Sequence, residues 1–251
     1  MKIMRTPKSL KCSLMLLTAA VCVAALPGVA SAAKPKTVTV KGFTVEWPVP
    51  KPDVKLLVGT KISVAEYPKL KTVSKADGTF SIKVPAKVKV TIVADSPDHL
   101  VTYSATRVWL QTDGPLPLYL PTLAAARGVS ALVSLPLNSD QTASKDCVIN
   151  AAVVNKSAGK YTSPQQVADA PSQSVVGATV RVSPSKGNWG QPIYDNIDRT
   201  VMSTTTSGLA LFIRVPAGTY TVSASKAGSK FDPFTATCKP GRFINAYIFQ
   251  R

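Results

Sequence analysis

Ala76-Asp77-Gly78-Thr79-Phe80-Ser81-Ile82-Lys83-Val84-Pro85-Ala86 is echoed further along the chain by Thr206-Ser207-Gly208-Leu209-Ala210-Leu211-Phe212-Ile213-Arg214-Val215-Pro216-Ala217. Each stretch reads turn, strand, proline corner. Gly78 and Gly208 permit the positive φ of a tight turn. Phe80, Ile82 and Val84 alternate with Thr79, Ser81 and Lys83, the two-residue period of a half-buried strand. Pro85 and Pro216 stand at strand ends, where no ladder N–H is needed. A second strand follows each corner; in the first copy Val88, Val90, Ile92 and Ala94 set its alternation. The second copy carries one residue more before its corner and one fewer after it. Such a duplication predicts an all-β chain of two tandem antiparallel β-sandwich domains. Phe80 and Ile213 are the core residues expected of the two copies.

Strands extend outward from these hairpins. Thr37-Val38-Thr39-Val40 opens the first copy and Leu116-Pro117-Leu118-Tyr119-Leu120 closes it; residues 243–249 close the second. The first domain is expected over residues 33–122 and the second over 123–251. Leu123-Ala124-Ala125-Ala126, at the boundary, reads as a short helical turn or plain linker. Residues 129–135 and 147–154 read as additional strands of the second copy. Long polar loops follow at 155–174 and 184–196.

Asp77-Gly78-Thr79-Phe80-Ser81-Ile82, then Val84-Pro85-Ala86 and an alternating strand, resembles the carboxypeptidase regulatory-like domain. In the second copy the resemblance is carried by Val215-Pro216-Ala217-Gly218-Thr219-Tyr220-Thr221-Val222 with Ala227-Gly228. Gly177-Ala178-Thr179-Val180-Arg181-Val182 is similar to the strand that precedes that hairpin. The resemblance covers residues 36–121 and 177–249. It implies a transthyretin-like (prealbumin-like, carbohydrate-binding-like) sandwich of about seven strands, used as a non-catalytic module of secreted bacterial proteins. Lys87-Val88-Lys89 departs from the Gly-x-Tyr corner of the family, and Ser207-Gly208 from its Asp-Gly. Tyr220 is placed to bury its ring and tie its hydroxyl to the backbone, as in a tyrosine corner.

The N-terminus has the anatomy of a secretory signal peptide. Lys2, Arg5, Lys8 and Lys11 precede an apolar stretch over residues 13–26, and Ala30-Ser31-Ala32 is a small-x-small cleavage site. The apolar stretch is shorter than the roughly 20 residues that span a bilayer. A lipoprotein reading through Cys22 meets Val21 where a small residue belongs. The expectation is a leader of residues 1–32, cleavage near Ala32, a mature chain without a transmembrane segment, and a secreted, periplasmic or cell-surface location. Cys147 and Cys238 then remain as an even pair in an oxidising compartment, where a disulfide is expected. Closing so long a loop is worth about 4–5 kcal/mol by chain entropy. A metal site and a reactive thiol are the alternatives; two cysteines with one histidine make a poor zinc set.

Of 251 residues 45% are hydrophobic, which excludes a disordered polar chain. Lys+Arg total 30 against 13 Asp+Glu, a net charge of +17. Lys69, Lys71, Lys75, Lys83, Lys87 and Lys89 are the candidate basic face, fit for an acidic polysaccharide or an acidic protein. The bland counterpart is solubility and protection of strand edges. Nucleic acid is not expected, because stacking aromatics interleaved with lysine are missing. Trp189, in Lys186-Gly187-Asn188-Trp189-Gly190 with Tyr194 nearby, is the candidate ligand-binding group. It can stack on a sugar or tuck over the sandwich as a lid.

Catalytic, cofactor and metal sites are not expected. His99, in Pro97-Asp98-His99, is the single histidine and reads as an exposed loop residue. No zinc-protease, nucleophile-elbow or phosphate-loop pattern occurs. Asp195, Asn196 and Asp198 fall short of a calcium loop. The sequence therefore predicts a secreted non-catalytic structural, adhesion or interaction module. Its partner would be another surface protein or a polyanionic or neutral polysaccharide. The alternative function is a carbohydrate-binding protein using Trp189, Tyr194, Asn188 and Lys186.

Overall fold

The computed structural model describes residues 36–47, 54–133, 135, 137–140, 142–155, 166, 173–185, 188–194, 203–204 and 207–251. The expected leader and its cleavage site, Lys186, and the Asp195, Asn196 and Asp198 group lie outside the described residues.

The first half supplies β1 (Thr37–Trp47), β2 (Lys61–Val64), β3 (Tyr67–Val73), β4 (Thr79–Pro85), β5 (Lys89–Val90), β6 (Ile92–Asp95), β7 (Thr102–Tyr103), β8 (Arg107–Val108) and β9 (Leu116–Pro121). A helix follows, α1 (Leu123–Val133). The second half supplies β10 (Cys147–Val154), β11 (Thr179–Ser183), β12 (Leu209–Val215), β13 (Gly218–Ser225), β14 (Phe231–Asp232), β15 (Phe234–Cys238) and β16 (Phe243–Gln250). Most of the described residues lie in β-strands of several sheets, with α1 as the one helix of more than a turn among them.

Two ladders of the chain follow one pattern. β1 lies between β4, antiparallel, and β9, parallel. β10 lies between β12, antiparallel, and β16, parallel. A second sheet faces each trio. Ile62, Phe80, Ile82, Ile92 and Leu118 fill the first core, and Ile149, Val153, Phe212, Val222 and Ile248 the second. β13 corresponds to β5 plus β6, which are separated where the Thr91 N–H and hydroxyl both donate to Glu66, each at 2.8 Å.

A hydroxyl clasp repeats atom for atom. Gly59 and Gly177 turn the chain at φ 72° and 77°. The Ser74 hydroxyl accepts from the Thr60 N–H (2.9 Å) and donates to Leu57 O (2.6 Å), while the Ser74 N–H donates to Thr60 O (2.9 Å). In the second half Thr204 does the same. Its hydroxyl accepts from the Ala178 N–H (2.9 Å) and donates to Val175 O (2.5 Å), and its N–H donates to Ala178 O (2.8 Å). The first-copy counterpart of Gly177-Ala178-Thr179-Val180 is therefore Gly59-Thr60-Lys61-Ile62.

The extra residue of the second hairpin is a β-bulge. The register of β10 and β12 shifts between Cys147↔Val215 and Ile149↔Phe212, and Arg214 adopts φ 56°. Phe212 points into the sandwich core. Ile213 is turned to the opposite face, where it packs with Val148, Ile193, Leu135 and Val133. The expectation of Ile213 in the sandwich core is thereby corrected: it is buried, but beneath the end of α1. The strand expected over 129–135 is also corrected. The Ala-rich run from Leu123 continues as helix through Val133, capped by Thr122, whose hydroxyl accepts from the Ala125 N–H at 3.1 Å.

Cys147 and Cys238 form a disulfide with their Cα atoms 5.5 Å apart, tying the start of β10 to the end of β15 across the second core. Tyr220 buries its ring and donates its hydroxyl to Pro216 O at 3.0 Å, as its position predicted.

Candidate functional site: the seam between the two halves

β7 pairs with β6 on one side and with β16 on the other, through Phe243↔Thr102 and Ile244↔Tyr103. One sheet therefore runs β12-β10-β16-β7-β6-β2-β3 across both halves. The outer faces of the two trios also meet. Phe43 and Val45 cluster with Ala152 and Val154, and with Tyr119, Tyr247 and Phe249. The Thr44 N–H donates to Gly78 O (3.0 Å) and the Val153 N–H to Gly208 O (2.8 Å), so 43 matches 152 and 45 matches 154. Like packs on like, as in a two-fold dimer. β10 is consequently buried on both faces, which explains its nearly unbroken apolar text.

At one end the seam opens. The Thr106 N–H donates to Thr235 O (2.8 Å), and its hydroxyl to Thr237 Oγ1 (2.9 Å). This antiparallel bridge does not continue, because the position opposite Val108 is Pro233, which has no N–H to give. A cleft of about 520 Å³ lies beyond it.

Arg107 and Trp109 line the cleft from β8 and the residues after it. The register Val90↔Arg107 puts Arg107 on the same side as the fully buried Val90, an inward-facing arginine. Its guanidinium stacks 4.0 Å from the centre of the Trp109 ring and pairs with Asp113 at 2.8 Å. Burial pushes the guanidinium below the ordinary arginine value and Asp113 offsets part of this; the group keeps its charge. Arg107 Nε and Trp109 Nε1 are buried without a hydrogen-bond partner among the described residues. Lys89 stands on the rim, and Asp232 on the facing lip is paired with Arg251.

The other wall is the edge of β9. The Thr122 N–H donates to Trp47 O, so even-numbered residues of β9 face β1 and odd-numbered ones face away. Residues 115, 117 and 121 are prolines, and this edge offers almost no donors. Of its carbonyls, Tyr119 O is taken by the Thr102 hydroxyl (3.3 Å) and Asn245 Nδ2 (3.4 Å).

The six candidate lysines are all exposed, yet they do not share one face. Lys69 and Lys71 project from the outer side of the sheet that contains β3. Lys83, opposite Thr39, projects from the outer side of the sheet facing it. Lys75 lies in the turn before β4. Lys87 and Lys89 sit at the β5–β8 ribbon, on the side that carries Val108 and Leu110. Trp189, in the single turn Asn188–Gly190, meets the Tyr220 ring edge-on at 5.1 Å and packs against the second core. Tyr194 is buried; its hydroxyl oxygen accepts the Val180 N–H at 2.8 Å, and burial pushes its pKa up.

The His99 side chain is only 8% exposed, against the exposed loop residue expected of it. Its Nδ1 lies 2.5 Å from Pro97 O and its Nε2 3.1 Å from Glu46 Oε2, which also receives Lys55 at 2.7 Å. The corner fixed by Asp98 explains the difference, since the turn is bonded back to the start of α1 through Leu123 N–H to Asp98 O. Arg107 and Asp113 went unmarked in the sequence. The available signal was Arg107-Val108-Trp109, where the apolar residue faces out and the charged one faces in.

Among the described residues no group of three or more His, Cys, Asp or Glu is placed to hold a metal, and no helix is long and apolar enough to cross a membrane. No protein-family model and no curated protein matches the chain. Solved structures similar to it include the Bacillus anthracis TIE protein, at 12% identity over 85% of this chain and 34% of that one, TM-score 0.28. The chain thus spans about a third of that protein's length. The minor pilin of Streptococcus agalactiae is similar at 8% identity over 85% and 95% of the two chains, TM-score 0.29. The shaft pilin SpaA from Lactobacillus rhamnosus GG is similar at 11% identity over 86% and 97%, TM-score 0.26. A likeness this loose specifies no residue and no chemistry.

Proposed function

We propose that the chain is a non-catalytic structural or interaction module working outside the cytoplasm. Two related sandwiches, residues 33–122 and 123–251, would act as one stiff body that presents surfaces to a partner. The observation that carries this reading is the seam: a shared sheet and a matched-face contact restrict the hinge that separate domains would have. The Cys147–Cys238 bridge supports an oxidising compartment. The turn-and-corner texts around Gly78 and Gly208, with their repeated bonds to Thr44 and Val153, support kinship with carboxypeptidase regulatory-like modules.

Co-sedimentation of the purified exported chain with envelope fractions of the cells that make it tests the proposal. Saturable retention, abolished by protease treatment of the envelope, is expected. A chain that stays in the supernatant at every concentration overturns it. Retention on purified glycans that is lost in Trp189→Ala would replace the protein partner by a sugar.

A further inference from the structure

We infer that the seam cleft binds a small carboxylate with a flat apolar body, whose acid group takes over the place on Arg107 now held by Asp113. The inference is independent of the interaction-module reading. An extended strand does not suit this cleft. Pro115 and Pro233 have no N–H, and the Leu110 N–H is already given to Asp113 Oδ2 at 2.8 Å. Side chains must therefore do the gripping. Arg107 and Trp109 both lie on the inward side of the β5–β8 ribbon: Arg107 stands opposite the buried Val90, and Trp109 packs in the first core. Both also line the cleft.

Two donors here go unanswered. The Arg107 Nε–H and the Trp109 indole N–H are buried and have no acceptor among the described residues. Buried donors in folded proteins are nearly always paired, so two orphans in one cleft call for an acceptor. Asp113 answers only part of the guanidinium. Its Oδ2 lies 2.8 Å from Nη2, and the same oxygen is shared with the Leu110 N–H. A ligand carboxylate has two oxygens and no backbone donor to serve, so it spans Nη2 and Nε as a fork. The guanidinium carbon is 4.0 Å from the Trp109 ring centre, which brings the indole N–H to the same corner of the cleft. The exchange replaces one carboxylate by another and gains the bonds that Asp113 leaves unmade. Residues 110–112 are exposed and Asp113 is half-buried, so their turn moves aside without disturbing the core. The walls select the rest of the ligand. Pro115, Pro233, Phe234 and Tyr247 are apolar, and flat rings pack on flat rings. A cleft of about 520 Å³ lies within the range of roughly 300–1,000 Å³ that small ligands occupy.

The test titrates the isotope-labelled exported chain with hydrocinnamate. It follows the Arg107 Nε–H and Trp109 indole N–H resonances, assigned from Arg107→Lys and Trp109→Phe. Saturable shifts of both signals, at about millimolar ligand, are expected. The neutral amide of the same acid should bind about tenfold more weakly. Arg107→Gln should weaken the carboxylate about tenfold as well. Asp113→Asn removes the competing charge while its amide oxygen still accepts the Leu110 N–H, and should tighten binding roughly threefold. Asp113 sits on an exposed turn, so this variant keeps the test decisive if Arg107→Gln folds poorly. Equal binding by the amide, shifts that spare both N–H signals, or an unchanged affinity in Asp113→Asn would overturn the site. Silence of both signals at every ligand concentration would overturn it too. Envelope retention is read separately, so failure of the cleft leaves the module reading standing.

Discussion

Lys87 occupies the left-handed region at φ 63°, at a corner where the second copy has Gly218. A side chain there costs roughly 1 kcal/mol that glycine does not incur. Lys87→Gly should therefore raise the free energy of unfolding by about 1 kcal/mol in urea titration; a loss would mean that the lysine makes a compensating contact. Ser74 and Thr204 act in the other direction. Ser74→Ala takes the hydroxyl acceptor from the buried Thr60 N–H, while Leu57 O keeps the Thr44 hydroxyl at 2.7 Å, and Thr204→Val takes the hydroxyl from the Ala178 N–H and Val175 O. Each should cost about 1–3 kcal/mol by the same titration, and a neutral result would show that the clasp is ornamental. Turn glycines were legible in the text because their backbone requirement is local. The clasp was not, since Ser74 and Thr204 lie far along the chain from the turns they bind.

Elements were legible where one face is buried and one is wet. β4 alternates cleanly, and its buried Phe80, Ile82 and Val84 are the residues expected. β12 misled at Ile213, because the extra residue before Val215 breaks the alternation counted back from the proline corner; Ile213 alternates normally with Phe212 and so faces away from the sandwich core. Only the start of α1 was legible, as a helical turn or linker at residues 123–126, because 129–135 contains enough valine and leucine to imitate a strand. The disulfide joins β10 and β15, which belong to different sheets, so reduction should lower stability by about 2–4 kcal/mol. An unchanged melting midpoint with both thiols free to label would refute that. Glu46, at the end of β1, brings in pH. Burial pushes its carboxyl up, but the bonds from Lys55 and His99 outweigh this and hold it below its ordinary value of 4.5. A depressed folded value means the contribution is complete above pH 4.5 and is lost as pH falls through that folded value. Glu46→Gln should flatten the acid limb of the stability profile and leave its slope above neutrality unchanged; an equal slope in both proteins would contradict the linkage.

Across the whole molecule the seam makes a prediction that two independent domains would not. Trp109 reports the first core and Trp189 the margin of the second. Phe43 lies in neither, but between the halves. Phe43→Ala should cost about 3–5 kcal/mol and shift the unfolding seen by both tryptophans together, isolated with single-tryptophan variants. Two separated transitions would show that the halves fold on their own. Such long-range pairing is invisible in sequence: β7 and β16 meet with two residues each, and nothing local marks those residues for each other.

The prolines along β9 have a consequence for crowding. Pro117 and Pro121 are buried, and the carbonyls that flank β9 are answered inside the chain, Tyr119 O by Thr102 and Asn245 and Pro121 O by the Leu100 N–H. In that crowded interior a border with carbonyls and scarcely a hydrogen accepts lone donors and refuses an ordinary strand, which would bring acceptors with nothing to meet them. Pro117 and Pro121 thus leave the seam to be closed by single hydroxyl, amide and N–H groups.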